Sequence, residues 1–443
     1  MAKDMYQTPR GTKDILPSEQ PYWMAVRDTS EKVFLGLGFS RIDIPHFENS
    51  EIYAKGIGGT TDIVQKEMFT LSSHSEDEAI TFALRPEGTA GVVRSYLQNG
   101  MASWSQPVRL YYMGAMFRHE RPQKGRFREF YQTGMEIIGD GSPKSDYLAI
   151  MSAWEILNRL GLKNLIVYTN SIGCPKCRPK YLAKLKKYYA ESKKELCSDC
   201  NNRIETNPLR LLDCKNENCQ RLGKDAPVML DSLCPECKEH FQQTLEYLDY
   251  FNIKYDLDPK LVRGLDYYTQ TVFEIVDKDD RGRQSTIVGG GRYNGLVELL
   301  GGMKTPAVGF SFGMERVISL MKEQKIEVKK PRGVEICIVQ LGDKAKEVSK
   351  AIYDALTKND INVYFVPSND SLRQQIKTAV KLDAKYAVII GQQEAVKDEI
   401  ILRDLGASSQ EVFPAKDLIE ELKKRMLSCP CDTEPTVEDE KVA

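Results

Sequence analysis

One segment of this chain carries a high local density of positive charge. Between Arg118 and Arg128 there are five basic residues and one acid, and Pro122 and Gly125 interrupt the segment. This composition is typical of a hairpin loop. Arginine binds phosphate oxygens in bidentate fashion, so such a loop suits a polyphosphate or an RNA backbone. A solvated charged turn is the alternative, and it is the commoner structure for an arbitrary loop.

The strand predicted directly after this loop, over residues 127–138, divides its side chains between two faces. One face is polar and interrupted by glycine: Phe130, Gln132, Gly134 and Glu136. The opposite face is mainly apolar: Tyr131, Thr133, Met135 and Ile137. This pattern describes the floor of a pocket in which Glu136 and Gln132 hold a small polar ligand. A solvent-facing row is the alternative.

Residues 84–90 are typical of a strand end that enters a helix, with Glu87 and Thr89 at the predicted helix start. A first-turn acid and a capping hydroxyl are expected there in any protein. Taken alone, this cluster is more typical of a helix cap than of a substrate site.

Three further clusters follow along the chain. Arg263 and two tyrosines, Tyr267 and Tyr268, occupy a short and otherwise apolar segment. Three consecutive glycines then precede Tyr293; glycine permits close approach of the backbone to a ligand, although turns have the same composition. Arg316 falls in the first turn of a predicted helix, where positive charge opposes the helix dipole. An anionic ligand or a structural salt bridge would each account for it.

Eight of the eleven cysteines form four closely spaced pairs: Cys174 with Cys177, Cys197 with Cys200, Cys214 with Cys219, and Cys234 with Cys237. The N-terminal residues contain no apolar segment typical of an export signal, so we do not expect a disulfide framework. The spacing instead predicts tetrahedral thiolate sites for one or two structural Zn²⁺ ions. Buried or free thiols are the alternative.

The length and composition of the chain indicate the number of its domains and its class. A length of 443 residues corresponds to about three domains at roughly 150 residues each. A hydrophobic fraction of 41% excludes a largely disordered chain. No apolar stretch approaches the roughly 18 residues of a spanning helix, so we expect no membrane partner. The net charge of -1 lacks the basic excess of many nucleic-acid binders.

The pattern of elements changes along the chain. Residues 39–139 have the short aromatic and β-branched runs of antiparallel strands, and strand character returns after residue 261. The Lys-rich helices and cysteine pairs between them are therefore inserted into one larger α+β domain. After Pro331, alternating strands and helices predict a small α/β domain with a mostly parallel sheet. Residues 428–443 hold five acids and one lysine, which predicts a disordered tail.

Four of these clusters, together with residues 36–48, resemble the motifs of histidyl-tRNA synthetases, a class II aminoacyl-tRNA synthetase family. Residues 117–136 resemble class II motif 2, and residues 309–316 resemble motif 3. Residues 36–48 resemble the dimer-forming motif 1. Residues 261–268 and 289–296 resemble the two signatures peculiar to the histidine enzymes. Gln270 and the Ser311–Phe312 pair are departures beside motif residues, and we interpret them as tolerated variants.

The resemblance covers nearly the whole chain and implies an α+β fold with four parts. These are a class II catalytic domain with an antiparallel sheet (1–170 and 259–326), an inserted helical Cys-rich domain (171–258), a C-terminal α/β anticodon-binding domain (331–427) and the acidic tail (428–443). It also implies a cytoplasmic homodimer whose partner is tRNA(His).

The resemblance implies a two-step reaction. The carboxylate of L-histidine attacks the α-phosphorus of ATP, and the histidyl-adenylate then transfers histidine to the 3′ end of tRNA(His). Arg118 would bind the α-phosphate, and Arg263 would approach it from the other side. Arg316 would contact the adenine and the γ-phosphate, while Mg²⁺ would bridge the outer phosphates.

The family's histidine pocket also maps onto this sequence. Glu136 would accept a hydrogen bond from the imidazole N–H, and Tyr268 would bind the other ring nitrogen. The remaining positions are Glu87, Thr89 and Gln132 for the α-amino group, and Tyr267 and Tyr293 for the pocket walls.

Two other functions are alternatives to the synthetase function that the resemblance implies. A catalytically inactive paralogue, such as the regulatory subunit of an ATP phosphoribosyltransferase, shares the fold but tends to lose the arginines and the anticodon domain. A zinc-dependent RNA-binding protein would leave Arg263 unexplained. In the C-terminal domain, Arg373, Lys377 and Lys381 form a helical stripe that is either an anticodon contact or a solvated face.

Overall fold

The computed structural model describes residues 6–59, 61, 63–71, 81–120, 126–279, 286–366, 371–407 and 409–427. The chain divides into two compact units, of which the first ends at Val328 and the second begins at Lys329. The predicted acidic tail and the tip of the basic loop, residues 121–125, lie outside the described residues. Within those residues, no helix has both the length and the apolar character needed to cross a membrane.

The strands of the first unit form a large and a small sheet. They are β1 (Ser40–Arg41), β2 (Phe47–Asn49), β3 (Thr70–Leu71), β4 (Phe82–Leu84), β5 (Val108–Phe117), β6 (Glu129–Ile138), β7 (Leu165–Ser171), β8 (Tyr255–Leu257), β9 (Thr269–Asp277), β10 (Thr286–Arg292) and β11 (Ala307–Gly313). The large sheet has the order β1-β5-β6-β11-β10-β9-β7-β8, and the small sheet has the order β2-β4-β3.

The helices of this unit flank the large sheet or build the insertion. They are α1 (Gln20–Gly36), α2 (Ser50–Ile57), α3 (Thr89–Gln98), α4 (Pro143–Arg159), α5 (Arg178–Glu191), α6 (Ser198–Thr206), α7 (Glu217–Leu222), α8 (Pro235–Tyr250), α9 (Leu296–Leu299) and α10 (Met314–Glu323). The predicted α+β class is confirmed. The sheet is antiparallel inside, while its two edge pairs, β1 with β5 and β7 with β8, are parallel.

The two faces predicted for β6 are confirmed. Met135 and Ile137 lie in a core that also contains Trp23 and Phe34 of α1. On the opposite face, Glu136 contacts Thr89 at the start of α3. The aromatic and β-branched residues of β5 and β6 therefore separate a closed apolar layer from a polar pocket.

The insertion has a small core of its own, built from tyrosines, aliphatic residues and five of the eight cysteines of the predicted pairs. Its last helix, α8, reaches back to the main fold, because Leu248 lies in the core of the large sheet. Strand β8 then pairs with β7. The main fold therefore resumes before the expected end of the insertion at residue 258, since an edge strand as short as β8 has too little pattern to identify from sequence.

The second unit contains a five-stranded sheet and four helices within the described residues. Its elements are β12 (Ile336–Gln340), α11 (Asp343–Lys358), β13 (Val363–Tyr364), α12 (Leu372–Lys381), β14 (Tyr386–Ile390), α13 (Gln392–Lys397), β15 (Glu399–Asp404), β16 (Gln410–Pro414) and α14 (Leu418–Leu427). The mostly parallel sheet predicted here is wrong. The strand order is β13-β12-β14-β15-β16; β12 pairs in parallel with both of its neighbours, whereas β15 pairs antiparallel with both of its neighbours. The connections on either side of β15, residues 391–398 and 405–409, are shorter than the dozen or so residues that a parallel crossover needs.

Candidate active site

The predicted site residues converge on two adjoining cavities. The first has a volume of about 220 Å³, and its lining includes Glu87, Thr89, Arg118, Gln132, Arg263, Tyr267 and Tyr268. The second has a volume of about 230 Å³, and Arg118 and Arg316 line it. Arg118, Ile287 and Gly313 line both cavities, so the two lie side by side. Residues from five separate segments of the chain therefore share one cleft.

Glu136 lies behind the first cavity and is fully enclosed, with 1% of its surface exposed. One carboxylate oxygen accepts a hydrogen bond from the Thr89 hydroxyl at 2.8 Å, and the other accepts one from the Tyr293 hydroxyl. Burial raises the pKa of Glu136 well above its ordinary value, although both hydroxyls act to lower it. The carboxyl is therefore held in an environment that disfavours its charge.

Glycines make room for this carboxyl. Gly309 on β11 lies opposite Glu136 in the sheet, and a Cβ there would overlap the Glu136 side chain. A Cβ at Gly134 would lie 2.5 Å from the hydroxyl oxygen of Tyr112. Tyr112, on the partner strand β5, is a buried neighbour of Glu136 and Glu87 that sequence reasoning missed. The signal that could have found it is its position opposite Gly134 in the β5–β6 hairpin.

Glu87 is the cap that its position predicts, because its carboxylate accepts hydrogen bonds from the backbone N–H groups of Thr89 at 2.7 Å and Ala90 at 2.8 Å. Its oxygen also lies 3.5 Å from the Tyr267 hydroxyl. Burial raises the pKa of Glu87, while these backbone bonds and the charge of Arg118 lower it. Nearby, the side-chain carbonyl of Gln132 is buried and has no hydrogen-bond partner among the described residues.

Together these groups favour a cationic ligand that carries several N–H donors. Two buried carboxyls disfavour each other's charge, and an unpaired amide oxygen costs free energy until a donor reaches it. A protonated amine that carries further N–H donors would satisfy all three groups.

Arg263 closes the cavity on the side of the strand pair β9–β10. Its guanidinium forms an ion pair with Glu274, and Glu274 also accepts a hydrogen bond from Thr286 at 2.7 Å. A Cβ at Gly289 would overlap the guanidinium, so the first of the three consecutive glycines is required by a close approach. Glu274 is a second residue that sequence reasoning missed, and no local pattern marks it.

Arg118 stands between the two cavities. Its Nε donates a hydrogen bond to the Pro86 carbonyl at 2.8 Å, and its guanidinium lies 5.3 Å from the centre of the Phe130 ring. Glu120 lies 3.9 Å from it and accepts a closer hydrogen bond from Arg126 at 2.9 Å. The guanidinium is therefore fixed at its Nε and packed on an aromatic face, which leaves it aimed at the cleft.

The second cavity combines arginines with a buried acid at the start of α10. Arg316 donates a hydrogen bond to the Thr286 carbonyl on β10. Its neighbour Glu315 accepts hydrogen bonds from the Tyr131 backbone N–H at 3.0 and 3.1 Å. Burial raises the pKa of Glu315 to about 7. This cavity is positive and partly aromatic, which suits a nucleotide with its phosphates.

A buried ion pair fixes the end of β10 beside the pocket. Arg292 is fully buried, and its Nε donates hydrogen bonds to the two oxygens of Asp146 at 3.2 and 3.0 Å. His240 of α8 lies 2.9 Å from the same carboxylate. Because Arg292 precedes Tyr293, this network sets the backbone position of a hydroxyl that contacts Glu136.

The eight predicted metal-binding cysteines form two separate groups. We call Cys174, Cys177, Cys234 and Cys237 the outer centre, and Cys197, Cys200, Cys214 and Cys219 the inner centre. Within each group all four sulfur atoms lie within 4.8 Å of one another. The structure therefore combines the first pair with the last pair and the two middle pairs with each other.

Comparison of the whole sequence with models of protein families identifies the family of this chain. A family model described as histidyl-tRNA synthetase matches residues 11–317. The chain belongs to the histidyl-tRNA synthetase family. A second model, described as an anticodon-binding domain, matches residues 335–425. The family expectation drawn from the five motifs is thus confirmed, including the C-terminal domain.

Relatives of this histidyl-tRNA synthetase family member cover it from end to end. A protein of Desulforamulus reducens named histidine–tRNA ligase is 44% identical over 417 residues, which are 94% of this chain and 99% of the relative. The crystal structure of apo S. aureus histidyl-tRNA synthetase superposes with a TM-score of 0.78 at 33% identity, covering 95% of this chain and all of that one. A structure from Bacillus halodurans, described as an ATP phosphoribosyltransferase regulatory subunit/histidyl-tRNA synthetase, has a TM-score of 0.61, covering 88% of this chain and 99% of that one; at 20% identity it shows the fold alone.

Proposed function

We propose that this chain is a histidine–tRNA ligase, which activates L-histidine with ATP and transfers it to the 3′ end of tRNA(His). The observation that carries the proposal is the adjacency of two cavities that share Arg118. The first is lined by the buried carboxyl of Glu87, with the buried carboxyl of Glu136 behind it, and the second presents arginine side chains. A cationic amino acid and a nucleotide polyphosphate would thus bind side by side.

In the first cavity, Glu136 accepts a hydrogen bond from the imidazole N–H, and Tyr268 binds the other ring nitrogen. Glu87, Thr89 and the free carbonyl of Gln132 bind the α-amino group. Tyr267 and Tyr293 form the walls. The support for these roles is the burial of both carboxyls and the orphaned amide oxygen, which leave the site incomplete until a ligand supplies donors.

This binding mode aims the histidine carboxylate at the α-phosphorus of ATP. An oxygen of the carboxylate forms a bond to phosphorus while the bond to the pyrophosphate oxygen breaks. Negative charge then grows on the α-phosphate, where Arg118 and Arg263 stabilise it from two sides. Arg316 binds the γ-phosphate and the adenine. Positioning and electrostatic stabilisation therefore account for the first step.

Mg²⁺ fits the second cavity. It would be held largely by substrate phosphates and water, and when bound it would neutralise charge on the outer phosphates. The carboxylates that line this cavity, Glu120 and Glu315, are the protein oxygens available to it. Its role here is to accompany ATP.

The second unit is proposed to bind the tRNA anticodon, as its family description suggests. The side chains of Arg373, Lys377 and Lys381 are all exposed on α12, which suits a phosphate backbone. We also propose a cytoplasmic homodimer through residues 36–48, whose strand β1 forms the edge of the large sheet. Analytical ultracentrifugation tests the dimer, and a monomer at micromolar concentration would contradict it.

ATP–pyrophosphate exchange, measured with each of the twenty amino acids, tests the function. We expect exchange with histidine only. Exchange with none of them would favour the inactive regulatory paralogue, and exchange with another amino acid would refute the assignment of the pocket. Charging of tRNA(His) transcript, with another tRNA as the control, tests the second step.

A further inference from the structure

The insertion contains two sets of four thiols that catalysis does not use. All eight are free cysteines, so no disulfide accounts for their proximity. Five are buried, and the other three are partly buried. Close packing of apolar thiols would bring some pairs together, but it does not require two groups of four with every sulfur near the other three.

The sulfur separations match those of a tetrahedral metal site. A metal–sulfur bond of about 2.3 Å gives a tetrahedron with edges of about 3.8 Å. In the outer centre, Cys174 Sγ lies 3.8 Å from the sulfurs of both Cys177 and Cys234, and Cys177 Sγ lies 3.9 Å from that of Cys237. In the inner centre, the sulfurs of Cys197 and Cys214 are 3.8 Å apart.

Helix N-termini and backbone N–H groups lie at the sulfurs of both centres. Cys177, Cys197 and Cys234 are the N-caps of α5, α6 and α8, where the helix dipole favours negative charge. Backbone N–H groups also point at sulfur in both centres. Cys174 N lies 3.3 Å from Cys177 Sγ, and Cys197 N lies 3.3 Å from Cys219 Sγ.

We propose that the insertion binds two structural Zn²⁺ ions, one in each centre, and that the outer centre positions the histidine pocket. Four thiolates in a tetrahedron select zinc among the common divalent ions. The small core of the insertion explains why metal ions would stabilise it, because a domain with few buried apolar residues gains much of its stability from such crosslinks.

The outer centre is connected to the pocket through two side chains. Arg178, directly after Cys177, donates hydrogen bonds to the carbonyls of Ile172 at 3.0 Å, Gly173 at 3.1 Å and Tyr268 at 2.7 Å. It thus ties the first helix of the insertion to the backbone of a tyrosine that lines the histidine cavity.

Gln270 forms the second connection. Its side-chain nitrogen lies 3.9 Å from Cys237 Sγ, and its carbonyl accepts a hydrogen bond from Asn294 at 2.7 Å. Asn294 follows Tyr293, which contacts Glu136. Gln270 also has a φ of 48°, in the left-handed region that side chains other than Asn and Gly seldom adopt. Gln270, which the sequence alone marked as a tolerated variant, therefore lies between the outer centre and the pocket.

Metal analysis of the full-length protein, purified without chelators, tests the two ions independently of activity. We expect two zinc ions per chain by elemental mass spectrometry, and one each in Cys237→Ser and Cys219→Ser. One ion or none in the wild-type chain, or iron in place of zinc, would overturn the proposal. If a variant fails to fold, titration of the wild-type protein with a mercurial reagent still tests whether the cysteines hold zinc. Zinc should be released as four thiols react for each ion.

The connection to the pocket rests on the proposed function, so its test measures kinetics beside metal content. Gln270→Asn keeps the left-handed backbone but shortens the side chain. We expect two zinc ions, an unchanged KM for ATP and a KM for histidine raised about tenfold, because Asn294, directly after Tyr293, loses its hydrogen-bond acceptor and a small displacement of a positioning group is costly. The matched control is Asn201→Ala, an amide beside the inner centre that bonds to the carbonyls of Leu196 and Cys197.

Asn201→Ala should leave the KM for histidine unchanged. Equal histidine KM values in Gln270→Asn and the wild type would overturn the connection while leaving the zinc ions standing. A complete absence of histidine-dependent exchange in the wild-type protein would instead refute the proposed function, so the two failures are distinguishable.

Discussion

Glu136→Gln separates the chemistry of the histidine pocket from its shape, because the two side chains have nearly the same size. In the free enzyme each Glu136 oxygen accepts a hydroxyl hydrogen bond, from Thr89 or from Tyr293. Glutamine replaces one of these oxygens with an NH₂ group and removes the charge. The imidazole N–H of histidine then loses a charged acceptor inside a closed cavity.

The expected cost follows from that burial. A hydrogen bond to a charged group contributes about 1.5–3 kcal/mol, and a donor left unpaired in a buried site costs about 1–3 kcal/mol more. The sum, about 2.5–6 kcal/mol, corresponds to a loss of about 10²- to 10⁴-fold in kcat/KM for histidine. The KM for ATP should change less than about twofold, since the second cavity does not include Glu136.

The assay is histidine-dependent ATP–pyrophosphate exchange, with Glu155→Gln on the exposed face of α4 as the matched control. Thermal unfolding accompanies it. Burial raises the pKa of Glu136, so the ionised carboxyl opposes folding, and its replacement should not lower the melting temperature at neutral pH. Exchange within about fivefold of wild type in a folded variant would refute the role of Glu136 as the imidazole acceptor.

Three further predictions concern groups around the cleft. Because burial raises the pKa of Glu315 from 4.5 to about 7, the folded state holds the proton of Glu315 more tightly than the unfolded state does. Denaturant unfolding at a series of pH values should therefore show Glu315→Gln becoming more stable than wild type as the pH rises from 4.5 to 7, by about 3 kcal/mol at pH values above 7. A stability difference that does not change with pH would contradict this. Asp146→Asn should lower the free energy of unfolding by about 3–5 kcal/mol in denaturant titrations, since it strands a buried arginine; a loss below about 1 kcal/mol would contradict this. Gly289→Ala should reduce kcat for exchange about 10²-fold by displacing Arg263. Gly295→Ala, whose Cβ meets open space, is its control, and equal rates would exclude the close approach.

Local patterns predicted a large part of the fold. The aromatic and β-branched runs marked β5 and β6, and alternation along β6 separated pocket residues from core residues before any partner strand was known. These predictions succeed because burial on one face of a strand is visible in a window of ten residues. Helices α10 and α11 followed from similar short-range patterns.

Long-range pairing was not visible in the same way. Gly309 lies opposite Glu136 because β11 pairs with β6, across more than a hundred residues of intervening chain that include the insertion. No local pattern fixes that register. The grouping of the cysteines has the same origin, since Cys174 meets Cys234 only after the helices between them have folded. Spacing predicted metal sites but left their number open.

Two buried acids illustrate which part of the site sequence reasoning cannot reach. Asp146 and Glu136 are equally enclosed, with 0% and 1% of their surfaces exposed. Burial acts to raise both pKa values, but Arg292 and His240 outweigh it and lower the pKa of Asp146. Around Glu136 the described neighbours are hydroxyls and a second acid, so its pKa stays well above the ordinary value. Asp146 is thus balanced by the protein's own cations, whereas the balance of Glu136 is left to a ligand. In the proposed binding mode a histidine substrate would supply the missing donors and positive charge, and it is this incomplete pairing, more than the acid itself, that distinguishes a binding residue from a structural one.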